Sequence, residues 1–411
     1  RGRLGLQADW EARWSTLSHG ERKRAQIGVA LWRQPEVLAV DEPTNHLDAA
    51  ARAMLQEALR LYRGVGLLVS HDRQLLDGLC GQCAFVEPPA VRLRPGGYTQ
   101  GVEQAARERE TAQRERDQAR AEVQRLEREA LQRQVEAARS QARRSKRNLG
   151  KDNDARFKRN LARATGKDGQ SGRRLRQMDG RLEQARQRQE GIRVRQERAL
   201  GIWVAGERSK RDLLARLPAA ALELGAARRL QYPDLYLRPD DRVALTGPNG
   251  GGKSTLVRRL LEVLSLPRER VTYVPQEIDA AASRRVLDQA RALPPAELGR
   301  LMTVVSCLGS DPSRLLESQL PSPGEVRKLL LATGVARVPH LIVMDEPTNH
   351  LDLPSIECLE EALAGCPCGL LLVSHDEPFL RRLARTRWRV EPRGADAVLR
   401  VVERWDPEAS P

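Results

Sequence analysis

The sequence predicts an α/β protein in which two copies of one domain flank a long, charged helical connector. Two observations support this prediction. Three short motifs recur at a constant offset of 304 residues, and the segment between the copies has the residue spacing of long helices. The expected domains are residues 1–100, the connector 101–200 and residues 201–411.

The repeat is clearest in an eight-residue identity. Residues 41–48 (DEPTNHLD) recur unchanged at 345–352, and residues 67–72 (LLVSHD) recur at 371–376. A third pair matches less closely, with SHGE at 18–21 and SPGE at 322–325. Because all three pairs share one offset, the two copies have the same internal spacing.

The second copy has one further motif, which predicts a phosphate site. Residues 247–254 (GPNGGGKS) fit G-x-x-x-x-G-K-[ST], between an apolar stretch at 242–246 that suits a strand and a helical stretch from Leu256. Glycines let backbone N–H groups close around phosphate oxygens, and the helix N-terminus favours negative charge. Lys253 can then reach the β- and γ-phosphates, and Ser254 can bind Mg²⁺. The expected nucleotide contacts are Gly247, Asn249, Gly250, Gly252, Lys253, Ser254 and Thr255.

The equivalent loop of the first copy is not in the sequence. The offset places it about fifty residues before Arg1. We therefore expect the chain to be an N-terminally truncated form of a longer protein; a protein that lacks this half-site is the alternative.

Each copy also places two carboxylates directly after a short apolar stretch. Such stretches suit strands buried in a parallel sheet, whose carboxyl ends form the ligand edge. We expect Asp345 and Asp41 to bind Mg²⁺, and Glu346 and Glu42 to act as general bases on the attacking water.

Three further polar residues are candidates for the same sites. His375 and His71 each follow an apolar stretch, at equivalent repeat positions, and are expected to face the γ-phosphate. Gln276, in the Val-Pro-Gln stretch 274–276, is expected to contact Mg²⁺ or water; a plain polar loop residue is the alternative.

The connector contains most of the positive charge. Residues 101–200 have 28 Lys and Arg against 16 Asp and Glu, so this segment has a net charge of +12 within a total of +15. The excess is greatest at 139–176, with 14 basic and 3 acidic residues. This balance predicts a polyanionic partner, with a solvated helical face as the alternative.

The connector's apolar residues recur at helical spacing in two arms on either side of a glycine-rich tip. Two antiparallel helices that share a thin coiled-coil seam would account for this pattern. The expected seam positions are 131, 135, 138 and 142 in the first arm, and Leu175, Met178, Leu182, Ala185 and Ile192 in the second.

Together these motifs resemble the ATP-binding cassette superfamily. The doubled EPTNHLD at 42–48 and 346–352, with a charged two-helix connector between the copies, looks like its ABC-F subfamily. The resemblance implies an ATPase that uses ATP and Mg²⁺, with each ATP held between the phosphate loop of one cassette and the Ser-x-Gly-Glu motif of the other. It thus adds Ser18, Gly20 and Glu21, and Ser322, Gly324 and Glu325, to the nucleotide contacts.

The resemblance also implies a partner, the ribosome, which the connector would reach near the P-site tRNA and the peptidyl-transferase region. Phosphate contacts on rRNA or tRNA are then expected from residues 139–176. The candidates are Arg143, Arg144, Lys146, Arg147, Lys158, Arg159 and Arg163. An intramolecular cassette pair in a cytoplasmic monomer follows, acting either as a housekeeping translation factor or in antibiotic resistance.

Two other functions stay open at this stage. A DNA-directed ATPase would also use a basic arm, and the energy subunit of a membrane transporter would also have cassettes. The sequence has no run of 18 apolar residues, so we expect no membrane span. One departure from the family pattern concerns the motif at 322–325, where Pro321 and Pro323 remove two N–H donors. The site that this motif completes is therefore expected either to hydrolyse ATP poorly or to be unaffected.

Overall fold

A computed structural model gives the fold of the chain. The residues that it describes are 4–45, 47–87, 89–144, 167–192, 206–225, 228–318, 321–349, 351–394 and 396–402. The chain divides into two compact units. One consists of Arg1–Tyr98 with Arg198–Pro411 and contains both copies of the repeat, and the other is Thr99–Glu197.

The first copy alternates helices with short strands. Its two parallel strands pair in register, so that Val37 lies opposite Val65 and Asp41 opposite Val69. An antiparallel hairpin follows. The elements are α1 (His19–Trp32), β1 (Val37–Asp41), α2 (Ala49–Arg60), β2 (Val65–Val69), α3 (Arg73–Leu79), β3 (Gln82–Glu87) and β4 (Ala90–Pro95).

The connector forms two helices, α4 (Tyr98–Arg144) and α5 (Lys167–Gly191). Arg186 pairs with Glu127, and Arg133 donates to the sulfur of Met178. Because the partner position on α5 falls as that on α4 rises, the two helices run antiparallel.

The seam between these helices differs from the predicted one in the first arm. Val123 and Leu126 are buried against Met178 and Ala185, with Ala130 and Leu182 packed beside them. Leu131 and Val135, two predicted seam residues, are 62% and 43% exposed, so the prediction is wrong at these positions. Met178, Leu182 and Ala185 do lie in the seam, as predicted. The periodicity of apolar residues predicted the helix but not which of its turns pack against the other helix.

The second copy has more elements. The antiparallel strands β5 (Ala215–Leu217), β6 (Ala220–Glu223), β7 (Arg229–Tyr232) and β8 (Leu235–Leu237) come first. The elements that follow are β9 (Arg242–Thr246), α6 (Lys253–Glu262), β10 (Val271–Val274), α7 (Ala280–Arg291), α8 (Pro295–Cys307), α9 (Pro312–Glu317), α10 (Pro323–Ala336), β11 (Leu341–Asp345), α11 (Leu353–Ala364), β12 (Gly369–Val373), α12 (Glu377–Leu383), β13 (Thr386–Arg393) and β14 (Asp396–Val402).

A mixed sheet organises the second copy, with strand order β10-β11-β12-β9-β13-β14-β7-β6. The strands from β10 to β13 in that order are mutually parallel. Alternate residues of β11 enter opposite cores: Ile342 packs toward α11 and α12, and Val343 toward α6 and the antiparallel strands. The carboxyl ends of β9, β11 and β12 therefore meet at one edge, where the motifs lie.

The two copies differ in how their central strands are covered. Every residue of β11 and β12 is buried. In the first copy, Val65, Leu67 and Val69 of β2 are 58% to 61% exposed. In the second copy, one edge of β12 pairs with β9. In the first copy, no strand of the described residues pairs with the corresponding edge of β2.

None of the helices in the described ranges combines the length and the apolar character that crossing a bilayer requires.

Candidate nucleotide-binding site

The phosphate loop connects β9 to α6 and depends on glycine backbone. Gly247, Gly250 and Gly252 have φ values of 144°, 71° and 91°, which L-residues with a Cβ rarely adopt. A Cβ on Gly247 would lie 2.6 Å from the carbonyl oxygen of Val390. Glycine is therefore required for the close approach of this loop to β13, and it directs backbone N–H groups toward the start of α6.

Lys253 is the first residue of α6, and its side chain points into the loop. Its Nζ donates to the carbonyl oxygens of Gly247 (2.8 Å) and Pro248 (3.1 Å), and lies 3.3 Å from Nε2 of His375. Burial lowers the pKa of Lys253, while Glu346 and Asp345 oppose this effect. A buried ammonium held at the loop's centre is suited to binding phosphate oxygens.

Ser254 and Asp345 lie together, as expected for a shared metal ion. The hydroxyl of Ser254 donates to Oδ2 of Asp345 at 2.7 Å, and Asp345 is 2% exposed. Two neighbouring oxygen ligands of octahedral Mg²⁺ are about 3 Å apart, so this pair fits the ion. Bound Mg²⁺ would supply positive charge next to the phosphate oxygens.

Glu346 lies one residue beyond the end of β11, in a left-handed backbone conformation (φ 50°). It is 5% exposed, and neither of its carboxylate oxygens has a hydrogen-bond partner among the described residues. Burial raises the pKa of Glu346 to about 7, against the opposing charges of Lys253 and Arg52. A desolvated carboxylate at the phosphate edge can accept a proton from water.

His375 connects the carboxylate to the loop. Its Nε2 lies 3.6 Å from Oε1 of Glu346 and 3.2 Å from Oδ1 of Asn249. Burial, together with the charges of Lys253 and Arg52, lowers the pKa of His375 to about 3. The imidazole is therefore neutral at physiological pH and can orient a neighbour without adding charge.

A buried arginine, which the sequence analysis missed, connects three loops of this site. Arg327 of α10 donates to the carbonyl oxygens of Glu346 (2.8 Å) and Asn349 (3.1 Å), and its other terminal nitrogen donates to that of Gln276. It is 5% exposed. The equivalent Lys23 donates to the carbonyl of Asp41, at 2.8 Å. The sequence signal that could have identified Arg327 is that basic residues follow both Ser-x-Gly-Glu motifs.

The phosphate loop and the strand ends beside it surround a cavity of about 250 Å³. It brings together most of the predicted loop contacts with Gln276, Glu346 and His375, and adds four residues that the sequence analysis did not identify. The lining consists of Leu47, Arg52, Leu224, Asn249, Gly250, Gly252, Lys253, Ser254, Thr255, Gln276, Glu346, Asn349 and His375.

The first copy repeats part of this arrangement. Nε2 of His71 lies 3.4 Å from Oε1 of Glu42, and Glu42 has a φ of 42°. Burial raises the pKa of Glu42. Asp41 is exposed. The strand end, glutamate and histidine of the repeat thus take the same form in both copies.

The two Ser-x-Gly-Glu motifs are helix caps of equal geometry. In each, the serine N–H donates to the glutamate carboxylate at 2.8 Å, and the glutamate N–H donates to the serine hydroxyl at 3.3 Å. Pro323 is the first residue of α10, where a helix tolerates proline. Pro323 therefore leaves the cap intact. Within the described ranges, neither motif lines the cavity: Ser18, Gly20 and Glu21 surround the start of α1, and Ser322, Gly324 and Glu325 surround that of α10.

The predicted RNA contacts fall mostly outside the described residues. Arg143 and Arg144 are the last two residues of α4. The remaining candidates, Lys146, Arg147, Lys158, Arg159 and Arg163, lie in the 145–166 gap.

Known proteins resemble this chain along nearly its whole length. The family model described as ABC transporter matches residues 2–45 and 230–349. The tylosin resistance ATP-binding protein TlrC of Streptomyces fradiae is 34% identical, over 93% of this chain and 69% of that protein. The ribosome protection protein VmlR of Bacillus subtilis is 28% identical, over 94% of this chain and 70% of that protein.

A solved structure described as RNase-L Inhibitor has the same fold, with a TM-score of 0.58 at 20% identity. The match covers 97% of this chain and 66% of that one, so the chain spans about two thirds of such proteins. With a phosphate loop, tandem EPTNHLD motifs and 34% identity to TlrC, the chain belongs to the ABC-F family of ATP-binding cassette ATPases.

Proposed function

We propose that this chain hydrolyses ATP at the Lys253–Glu346 site and acts on the ribosome through its basic connector. Glu346 accepts a proton from water as the water oxygen attacks the γ-phosphorus, the bond to the bridging oxygen breaks, and ADP and phosphate leave. The observation that carries the ATPase part is the buried Glu346 carboxylate, which has no hydrogen-bond partner in the described part of the chain.

Mg²⁺ belongs to this proposal as the ion held by Ser254 and Asp345, whose oxygens are 2.7 Å apart. Gln276 lines the same cavity and is a further candidate ligand. Ser18, Gly20 and Glu21 would complete the site when the two copies close on ATP.

The ribosomal part of the proposal rests on charge and on relatives. One relative is a ribosome protection protein and another a tylosin resistance protein, as their names state. The 14 basic residues at 139–176, against 3 acidic, suit RNA phosphates. The target would be rRNA and P-site tRNA, with ATP binding favouring attachment and hydrolysis favouring release.

Ribosome sedimentation over a range of salt concentrations tests the connector. Exchange of Arg143, Arg144, Lys146 and Arg147 for glutamine should weaken pelleting with ribosomes about tenfold or more and flatten its salt dependence. A matched variant removes four exposed arginines of α4 that lie outside the basic segment, namely Arg107, Arg114, Arg120 and Arg128. Equal effects of the two variants would show that only net charge matters and would refute the tip as the RNA contact.

A further inference from the structure

One arginine of the first copy lies in the cavity of the second. Arg52 is on α2, and its side chain is 19% exposed. It lines the cavity together with Lys253, Glu346 and His375. Leu47 is the other first-copy residue in that lining, so Arg52 is the charged residue of the lining that comes from the first copy. Asp48 of the first copy also contacts the loop, where its carboxylate accepts from the N–H of Asn249 at 3.4 Å.

The Arg52 guanidinium makes a closer hydrogen bond through Nε than through its terminal nitrogens. Nε donates to the carbonyl oxygen of Leu47 at 3.1 Å. Nη1 makes two long contacts, to the carbonyl oxygen of His375 (3.4 Å) and to Oδ2 of Asp72 (3.5 Å). Nη2 has no acceptor in the described part of the molecule. The terminal nitrogens can therefore exchange these long contacts, including the ion pair with Asp72, for a short, charge-assisted one while Nε keeps its hydrogen bond.

The arginine is not repeated in the second copy. The offset of 304 residues places Ile356 at the equivalent position, where it is 1% exposed in the core. The capping aspartates Asp48 and Asp352 and the helices that follow them are otherwise alike. A charge at this position is thus present in the first copy and not in the second.

We propose that Arg52 binds the terminal phosphate of ATP, as a residue that the first copy supplies to the site of the second. This inference rests on the proposed function, because it identifies a substrate contact of that same site. Arg52 contacts the carbonyl oxygen of His375 and lines the same cavity as Glu346, and these are the two residues expected to face the γ-phosphate. A planar guanidinium pairs with two phosphate oxygens at once. ADP lacks the group that Arg52 would bind, so the contact makes ATP binding and hydrolysis depend on the pairing of the two copies.

Arg73 provides a comparison that tests whether Arg52 has a purely structural role. Arg73 of α3 also reaches from the first copy to the second, where it contacts Glu360 at 3.2 Å and Glu357 at 3.9 Å. It does not line the cavity. If Arg52 only held the copies together, loss of Arg73 would have the same consequences as loss of Arg52.

The test measures binding and turnover for the whole chain and for Arg52→Ala, Arg52→Lys and Arg73→Ala. Affinities for Mg·ATP and Mg·ADP are obtained by titration with a fluorescent nucleotide, and thermal unfolding midpoints show whether each variant is folded. We expect Arg52→Ala to lose about tenfold in its preference for ATP over ADP and at least about tenfold in kcat. Arg52→Lys should recover part of both, and Arg73→Ala should change either by less than about twofold.

The possible outcomes separate the two proposals. If the unaltered chain binds no ATP, the proposed function fails. If it binds ATP but Arg52→Ala keeps the ATP preference, the inference about Arg52 is overturned and the proposed function stands. Equal losses in Arg52→Ala and Arg73→Ala would show that Arg52 only joins the copies. If Arg52→Ala does not fold, the comparison of Arg52→Lys with Arg73→Ala decides by the same criterion.

Discussion

At the scale of single residues, the site depends on how Glu346 is held. Its carboxylate is removed from water, which raises its pKa, while Lys253 and Arg52 oppose that effect. Its left-handed backbone (φ 50°) is unusual for a glutamate, and Arg327 donates to its carbonyl oxygen. The outcome is a pKa of about 7. A general base is most effective when its pKa is close to the pH at which it works, so Glu346 suits neutral pH.

The pH dependence of kcat/KM for ATP should therefore show one acidic limb. Glu346 acts in its deprotonated form, so activity should be full above its pKa of about 7 and fall as pH decreases below it. His375 adds no limb between pH 5.5 and 8.5 in this account, because its pKa is lowered to about 3. Steady-state rates across that range, with His375→Gln as a control that keeps the limb, measure this directly. A flat profile through pH 7 would contradict the assignment of Glu346.

At the scale of elements, α10 connects the Ser-x-Gly-Glu motif to three loops of the nucleotide-binding site. Ser322 caps its first turn, and Arg327, five residues later, connects the loops of Glu346, Asn349 and Gln276. A displacement of this helix would therefore move the Ser-x-Gly-Glu motif and the catalytic loops together. This follows from the rigidity of a capped helix with a buried, multiply bonded guanidinium.

The connector helices provide a direct test at the element scale. Met178 is 2% exposed in the α4–α5 seam, whereas Leu131 on α4 is 62% exposed. Met178→Ala should destabilise the helix pair by about 2 kcal/mol, so amides in the centre of α4 should exchange about thirtyfold faster. Leu131→Ala should leave their exchange within about twofold. Equal effects in hydrogen-exchange measurements would place the seam at the predicted 131–135 positions.

At the scale of the whole molecule, the two copies share their motifs but not their surroundings. The glutamate–histidine distances are 3.4 Å in the first copy and 3.6 Å in the second, so the strand-end geometry is repeated. The strands that carry it are exposed at β2 and buried at β12. The hydrolysis proposed above concerns the site of the second copy, where Lys253 and Ser254 line the same cavity as Glu346.

Sequence reasoning recovered the parts of this molecule that local pattern determines. The grouping of Lys253, Ser254 and Glu346 was predictable because each follows a strand of one parallel sheet, and the carboxyl ends of such strands meet. Arg327 and Arg52 were not, because their roles depend on which carbonyl oxygens and cavities tertiary packing places beside them. The prediction of the connector seam was wrong in the first arm for the same reason. Many positions of a helix fit the same period, and packing against the partner helix determines which of them are buried.

The most direct test of the account is ATP-dependent sedimentation with ribosomes for the chain and for Glu346→Gln. The variant should still bind ATP, hydrolyse it at least about a hundredfold more slowly and pellet with ribosomes in an ATP-dependent way, because release follows hydrolysis. Glu42→Gln, at the equivalent position of the first copy, should sediment like the unaltered chain, because Glu42 does not line the cavity that contains Lys253 and Ser254. Normal ATP turnover by Glu346→Gln, or pelleting that ATP does not change, would contradict the central claim.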